Sequence, residues 1–206
     1  MITKESQAKH WAEKDIRTIQ SYWDSPPATL RSKWFAKQLK SYNFFSIYET
    51  GFFSGRNLRY IYEEFPNIKV GGLDVNKKAV EFAKQRMPYA DLHHMNLHDF
   101  NSNKEYDIVF TSGILIHIPP KDVPTVLSKL LMSAKKYVMH IESIGNNEIS
   151  AGPKHLKPTY KISDQIQFSP DLIGMYAKLG YSTKVIPLPD NCKTNGGSEL
   201  LIVEIL

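Results

Sequence analysis

From residue 44 onward the chain alternates short apolar runs with segments whose apolar residues recur every three or four positions. The runs at 45–49, 69–74, 90–94, 106–111, 136–142, 182–188 and 199–205 predict strands; the segments at 55–65, 76–87, 121–134 and 169–179 predict helices. Continuous apolar strands such as Ile108-Val109-Phe110 predict a parallel sheet with both faces covered. The last two strands are joined by Pro187 to Ser198, a loop with no room for a crossover helix, so the final strand should run antiparallel to its neighbours. The expected fold class is α/β: a seven-stranded sheet, six parallel strands plus one antiparallel, with helices on both faces.

Ahead of this alternation, residues 4–22 have helical character, with Trp11, Ile16, Ile19 and Trp23 as burying positions. Ser25-Pro26-Pro27 breaks the pattern and fits a new helix start, because proline is tolerated in a first turn. Leu30, Trp34 and Leu39 then mark the inner face of a second helix. Residues 1–43 are therefore expected to form a helical cap on a domain spanning 44–206.

The 206 residues suffice for one domain with a full core. A lone cysteine, Cys192, excludes a disulfide within the chain and suits a reducing cytoplasm, and no apolar run approaches the length of a membrane span. Net charge is +5, and residues 1–40 hold eight Lys/Arg against four Asp/Glu. Those lysines alternate with Glu5, Glu13, Asp15 and Asp24, which describes a solvated helix face better than a nucleic-acid surface.

The chemistry gathers where strands end. Ile47-Tyr48-Glu49-Thr50-Gly51-Phe52-Phe53-Ser54-Gly55 is a strand end and a glycine turn, followed by a helix start. The next strand closes on Gly71-Gly72-Leu73-Asp74. Such a turn lets a ligand approach the backbone, and an acid at the tip of the next strand can accept both ribose hydroxyls.

With Tyr106-Asp-Ile-Val-Phe-Thr-Ser-Gly-Ile-Leu-Ile-His117-Ile-Pro-Pro120 downstream, residues 44–206 resemble the class I S-adenosylmethionine-dependent methyltransferases. Gly-Arg-Asn-Leu after the first turn, together with Leu-Ile-His-Ile-Pro-Pro, is most similar to methylases of sugar and surface-polysaccharide biosynthesis. The resemblance implies a Rossmann-like fold, S-adenosyl-L-methionine as cofactor and a small-molecule acceptor. It places cofactor contacts at Glu49, Gly51, Phe53, Gly55, Asp74, Val75, Asn96, Leu97 and Thr111. Two positions depart from the family pattern: Phe53 replaces the middle glycine, and Asn96 replaces the usual adenine-contacting aspartate. A phenylalanine is not expected to take a positive φ, so either the loop differs or the ring turns from the ligand. Asn96 keeps a carbonyl that can accept the adenine amino proton.

His117 follows the fourth strand at the ligand edge and is the leading candidate for a general base, against packing under Pro119-Pro120. His140 and Glu142 share one face of the fifth strand, facing either the acceptor or each other. His93, His94 and His98 straddle a strand and a loop with no acidic cluster, so no metal site is expected. Residues 143–168 are too long for a plain connection and read as a substrate-covering loop, with His155, Tyr160 and Lys161 as contributors. Rival readings are a nucleic-acid or protein methyltransferase, for which the basic N-terminus speaks, and a scaffold whose cofactor loop is blocked by Phe53. No Asn/Asp-Pro-Pro-aromatic base-methylating motif is present.

Overall fold

The computed structural model describes residues 4–100, 106–145, 148–150, 167–193 and 198–205. Three helices come first: α1 (Lys4–Ala12), α2 (Ile16–Asp24) and α3 (Pro26–Gln38). The alternation follows as β1 (Ser46–Thr50), α4 (Arg56–Glu64), β2 (Lys69–Asp74), α5 (Lys77–Arg86), β3 (Asp91–His94) and β4 (Tyr106–Ser112). Then come α6 (Val123–Ser133), β5 (Ala134–Glu142), β6 (Glu148–Ser150), β7 (Gln167–Ser169), α7 (Leu172–Lys178), β8 (Lys184–Pro187) and β9 (Glu199–Glu204). The short pair β6 and β7 forms a separate antiparallel ribbon.

The main sheet has the order β3-β2-β1-β4-β5-β9-β8. β1 pairs in parallel with both β2 and β4, while β9 is antiparallel to β5 and β8. Six strands thus share one direction and β9 opposes them, the Rossmann-like arrangement implied by the resemblance, with the last strand reversed as the loop length predicted. Alternation along β4 sends Ile108 and Phe110 into a core with Phe35, Leu58 and Ile61. Val109 enters the opposite core with Val126, Leu130 and Tyr176.

The N-terminal segment departs from its sequence reading. The single helix expected over 4–22 is two, because Asp15 caps a new start by accepting the Thr18 N–H at 2.8 Å. Ile16, expected to bury, is largely exposed in the first turn of α2, while Ile19 is fully buried. Of the expected inner positions of α3, Leu39 is fully buried and Trp34 packs against the core, but Leu30 faces solvent. Arg31, Ser32, Phe35 and Ala36 also face inward. Apolar spacing missed Arg31 and Ser32 because they are polar. Arg31 belongs to a cavity wall, and Ser32 donates to Asn57 of that wall at 2.6 Å.

Candidate functional site

Between β1 and β4 the chain order of the sheet reverses, which opens a crevice at the strands' carboxyl ends. A cavity of about 840 Å³ lies over this edge. The loop after β1 forms its floor. Gly51 and Gly55 are left-handed, with φ of 76° and 83°. A Cβ on Gly51 would sit 2.1 Å from the Ile114 side chain, so the loop is packed as tightly as glycine allows. Gly55 is also the N-cap of α4.

Phe53 lies between them and keeps a left-handed backbone, with φ of 47°. This is a conformation that phenylalanine adopts only at a cost. Its N–H donates to Asp74 Oδ2 at 2.7 Å, and its ring turns toward the N-terminal helices. There it meets Trp11 edge-on at 5.4 Å and Tyr22 edge-on at 5.0 Å.

Asp74 is buried at the tip of β2, where it also accepts the Asn76 N–H at 2.8 Å through Oδ1. Burial raises its pKa to about 6, opposed by those backbone hydrogen bonds. Each carboxylate oxygen keeps a second lone pair for a ligand hydroxyl. Val75, Asn96 and Leu97 extend the wall on this side. The Asn96 carbonyl accepts the His98 N–H at 3.0 Å and so caps a short turn.

Glu49 lies on the wall at the end of β1. Its Oε1 accepts from Asn57 at 2.6 Å, whereas Oε2 is buried with no hydrogen-bond partner among the described residues. Desolvation raises its pKa to about 8 against the pull of Asn57, Arg56 and Arg31. Asn57 continues to Ser32 Oγ at 2.6 Å, and the Arg56 guanidinium donates to Ser32 and to the Tyr22 carbonyl. Arg31, Arg56, Asn57, Gln7 and Gln167 all line the cavity and were not singled out from sequence. Burying two arginines and a carboxyl around one space carries a large desolvation penalty unless a charged ligand shares it. Sequence offered one faint signal, the polar Arg56-Asn57 pair in the first turn of an amphipathic helix.

His117 lines the opposite wall, nine-tenths buried, with its ring 4.9 Å from Trp11. Burial, with His10 and Lys14 nearby, lowers its pKa to about 4. Its Nδ1 has no hydrogen-bond partner among the described residues.

Three other candidates lie elsewhere. Thr111, His140 and Glu142 are fully buried beneath the edge and do not line the cavity. His140 Nε2 is 2.7 Å from the Tyr176 hydroxyl, and its Nδ1 is 2.8 Å from Thr111 Oγ1. Thr111 donates to Glu142 Oε1 at 2.8 Å, and the same oxygen accepts the Ile114 N–H at 3.0 Å. The expectation that His140 or Glu142 faces the acceptor is corrected. They do share a face, but that face points into the α7 packing and under the loop after β4. His155, Tyr160 and Lys161 lie outside the described residues. Among the described residues no cluster of metal-ligating side chains occurs. Nor is any helix among them long and apolar enough to cross a membrane.

Residues 47–136, which carry the glycine loop, Asp74 and His117, match the family described as a methyltransferase domain. That stretch is a methyltransferase domain. The fold of the chain is shared with magnesium protoporphyrin IX methyltransferase from Synechocystis PCC 6803 bound to S-adenosylhomocysteine, at a TM-score of 0.73 and 14% identity over 98% of each chain. It is similar to Streptomyces venezuelae DesVI, at a TM-score of 0.65 and 12% identity over 93% of this chain and 98% of the other. It is similar also to 1,6-didemethyltoxoflavin-N1-methyltransferase from Burkholderia thailandensis, at a TM-score of 0.69 and 12% identity over 99% of this chain and 91% of the other. At such identities the likenesses speak for the fold. No curated protein matches the chain closely enough in sequence to serve as a relative.

The residues around the cavity fit S-adenosyl-L-methionine chemically. The unpartnered Glu49 Oε2 suits a ligand ammonium, the glycine loop admits close backbone approach, and Asp74 suits ribose hydroxyls.

Proposed function

We propose that the chain is an S-adenosylmethionine-dependent methyltransferase acting on an oxygen or nitrogen atom of a small polar metabolite or nucleotide-linked sugar. One observation carries this reading: the donor crevice and the walls supplied by α1 and α2 form a single cavity. Gln7, Trp11 and Tyr22 line it together with Ile114, Ile116 and His117, and the Trp11 and His117 rings touch at 4.9 Å. An acceptor held there is enclosed on two sides by packed side chains, a geometry suited to a small molecule rather than a polymer.

In this reading residues 1–43 cap the domain and residues 143–168 cover the acceptor, with Gln167 on the cavity wall and His155, Tyr160 and Lys161 contributing. Glu49, Gly51, Phe53, Gly55, Asp74, Val75, Asn96 and Leu97 bind the cofactor. When bound, the cofactor supplies a methyl group on a sulfonium, whose departure leaves a neutral thioether. The side chains therefore align the acceptor and exclude water, contributions that can reach about 7–11 kcal/mol. His117 orients the acceptor. With its pKa lowered to about 4 it is neutral near pH 7 and a weak base, suited to accepting a hydrogen bond from an O–H or N–H.

The test is release of S-adenosylhomocysteine by the full chain with panels of hydroxylated and amino metabolites, nucleotide sugars, RNA and protein. Turnover with the small molecules alone supports the reading. Turnover with RNA or protein alone overturns it, and failure of wild-type chain to bind S-adenosylhomocysteine at millimolar concentration supports the scaffold alternative.

A further inference from the structure

Asn76 is fully buried, yet it is neither in the cavity wall nor part of the apolar core. Its backbone N–H donates to Asp74, and its side-chain carbonyl caps α5 by accepting the Ala79 N–H at 3.0 Å. Both remaining amide protons go to the end of α1 and the turn after it: Nδ2 donates to the carbonyl of Trp11 at 2.8 Å and of Lys14 at 3.1 Å. These two bonds tie the end of α1 to the start of α5.

Nine residues make a marginal helix in isolation, and α1 is polar around most of its circumference. Its anchor is Trp11, whose ring touches Phe53 at 5.4 Å and His117 at 4.9 Å. Phe53 in turn holds a left-handed backbone that opposes its side chain, a strain that a glycine would avoid. Its N–H is fixed by the second oxygen of Asp74. Two routes therefore leave one carboxylate and meet at one tryptophan: Asp74 to Asn76 to the Trp11 carbonyl, and Asp74 to Phe53 to the Trp11 ring.

We propose that Asn76 and Phe53 are positioning residues that seat Trp11 against His117, so that the wall α1 gives the acceptor depends on the state of the Asp74 carboxylate. The strained phenylalanine is kept because its ring supplies the surface on which Trp11 lands. Filling the ribose end of the cavity then tightens α1, and the acceptor meets a complete wall only after the donor has bound. The coupling to donor and acceptor rests on the proposed function; the seating of α1 does not.

Hydrogen exchange of the α1 amides separates the two. Asn76→Ser keeps a side-chain cap for α5 but loses both amide donors. Phe53→Gly removes the ring and the strain together. In the ligand-free chain, both variants should exchange α1 amides roughly tenfold faster or more, with the β1, β2 and β4 amides unchanged. Unaltered α1 exchange in either variant overturns the seating. Adding S-adenosylhomocysteine should slow α1 exchange in the wild type and much less in Asn76→Ser, which should bind it within about threefold of wild type while its acceptor KM rises several-fold. Equal slowing in both proteins overturns the coupling. A wild-type chain that does not bind the compound rejects the methyltransferase reading while leaving the exchange result on α1 intact.

Discussion

Asp74 accepts the Phe53 N–H at 2.7 Å and thereby ties the tip of β2 to the loop after β1. The bond helps to offset the left-handed strain at Phe53, since a hydrogen bond to a charged group contributes about 1.5–3 kcal/mol. The same carboxylate is the proposed ribose ligand, so its removal should act twice. Asp74→Ala should weaken S-adenosylhomocysteine binding at least about tenfold by calorimetry and lower the melting temperature of the ligand-free chain. Unchanged affinity would assign the ribose to another residue.

Glu49 supplies a pH signature. Burial holds its pKa at about 8, so the ligand-free group is mostly protonated at neutral pH. A ligand ammonium favours the ionised form, and binding must then release a proton. Affinity for S-adenosylhomocysteine should therefore rise up to about tenfold per pH unit below pH 8 and level off above it. Glu49→Gln should flatten that profile. A wild-type affinity that is flat between pH 6 and 8 would remove the ammonium from this carboxyl.

His117 should matter to turnover more than to donor binding. His117→Ala is expected to reduce kcat at least about tenfold while leaving S-adenosylhomocysteine affinity within about threefold. Full activity would reduce the ring to packing under Trp11. Its stability effect has a defined sign. The folded pKa, about 4, lies below the ordinary value of 6.5, so the fold favours the neutral ring. The stability this contributes is present above 6.5 and is lost as pH falls through 4. Replacing His117 with Gln should shrink the acid-induced fall in melting temperature across that window.

The parallel sheet, the reversed last strand and the glycine turn were all legible in the sequence. Each follows from a local rule: apolar run length, loop length, or the need for positive φ at Gly51 and Gly55. Asp74 was legible too, because a carboxylate after Val70-Gly-Gly-Leu asks for a partner. Arg31 was not. Its inward direction depends on the rotation of α3 about its own axis, which Phe35 and Ala36 set through packing against α4 and β4. At Phe53 the sequence showed the cost of a positive φ but not the tertiary hydrogen bond that helps to hold φ at 47°. His140 and Glu142 were placed on the correct face, but a strand pattern does not say which layer covers that face. Tyr176 on α7 covers it here.

Glu142 serves the loop rather than the acceptor. Its Oε1 receives the Thr111 hydroxyl and the Ile114 N–H, and so fixes the start of the segment that carries His117. Burial raises its pKa to about 7, above the ordinary value of 4.5, so ionisation opposes folding. Stability from this group is fully present below 4.5 and is lost as pH rises through 7. Glu142→Gln keeps a carbonyl in place of Oε1 but cannot ionise. It should match wild type near pH 5 and exceed it at pH 8.5 by on the order of 1–3 kcal/mol in denaturant unfolding. S-adenosylhomocysteine affinity should stay within about threefold, because the group does not line the cavity. Turnover in the variant should likewise keep its neutral-pH value and lose any decline that sets in above pH 7. A large loss of turnover at pH 6, where wild-type Glu142 is already mostly neutral, would instead return this carboxyl to the reacting atoms.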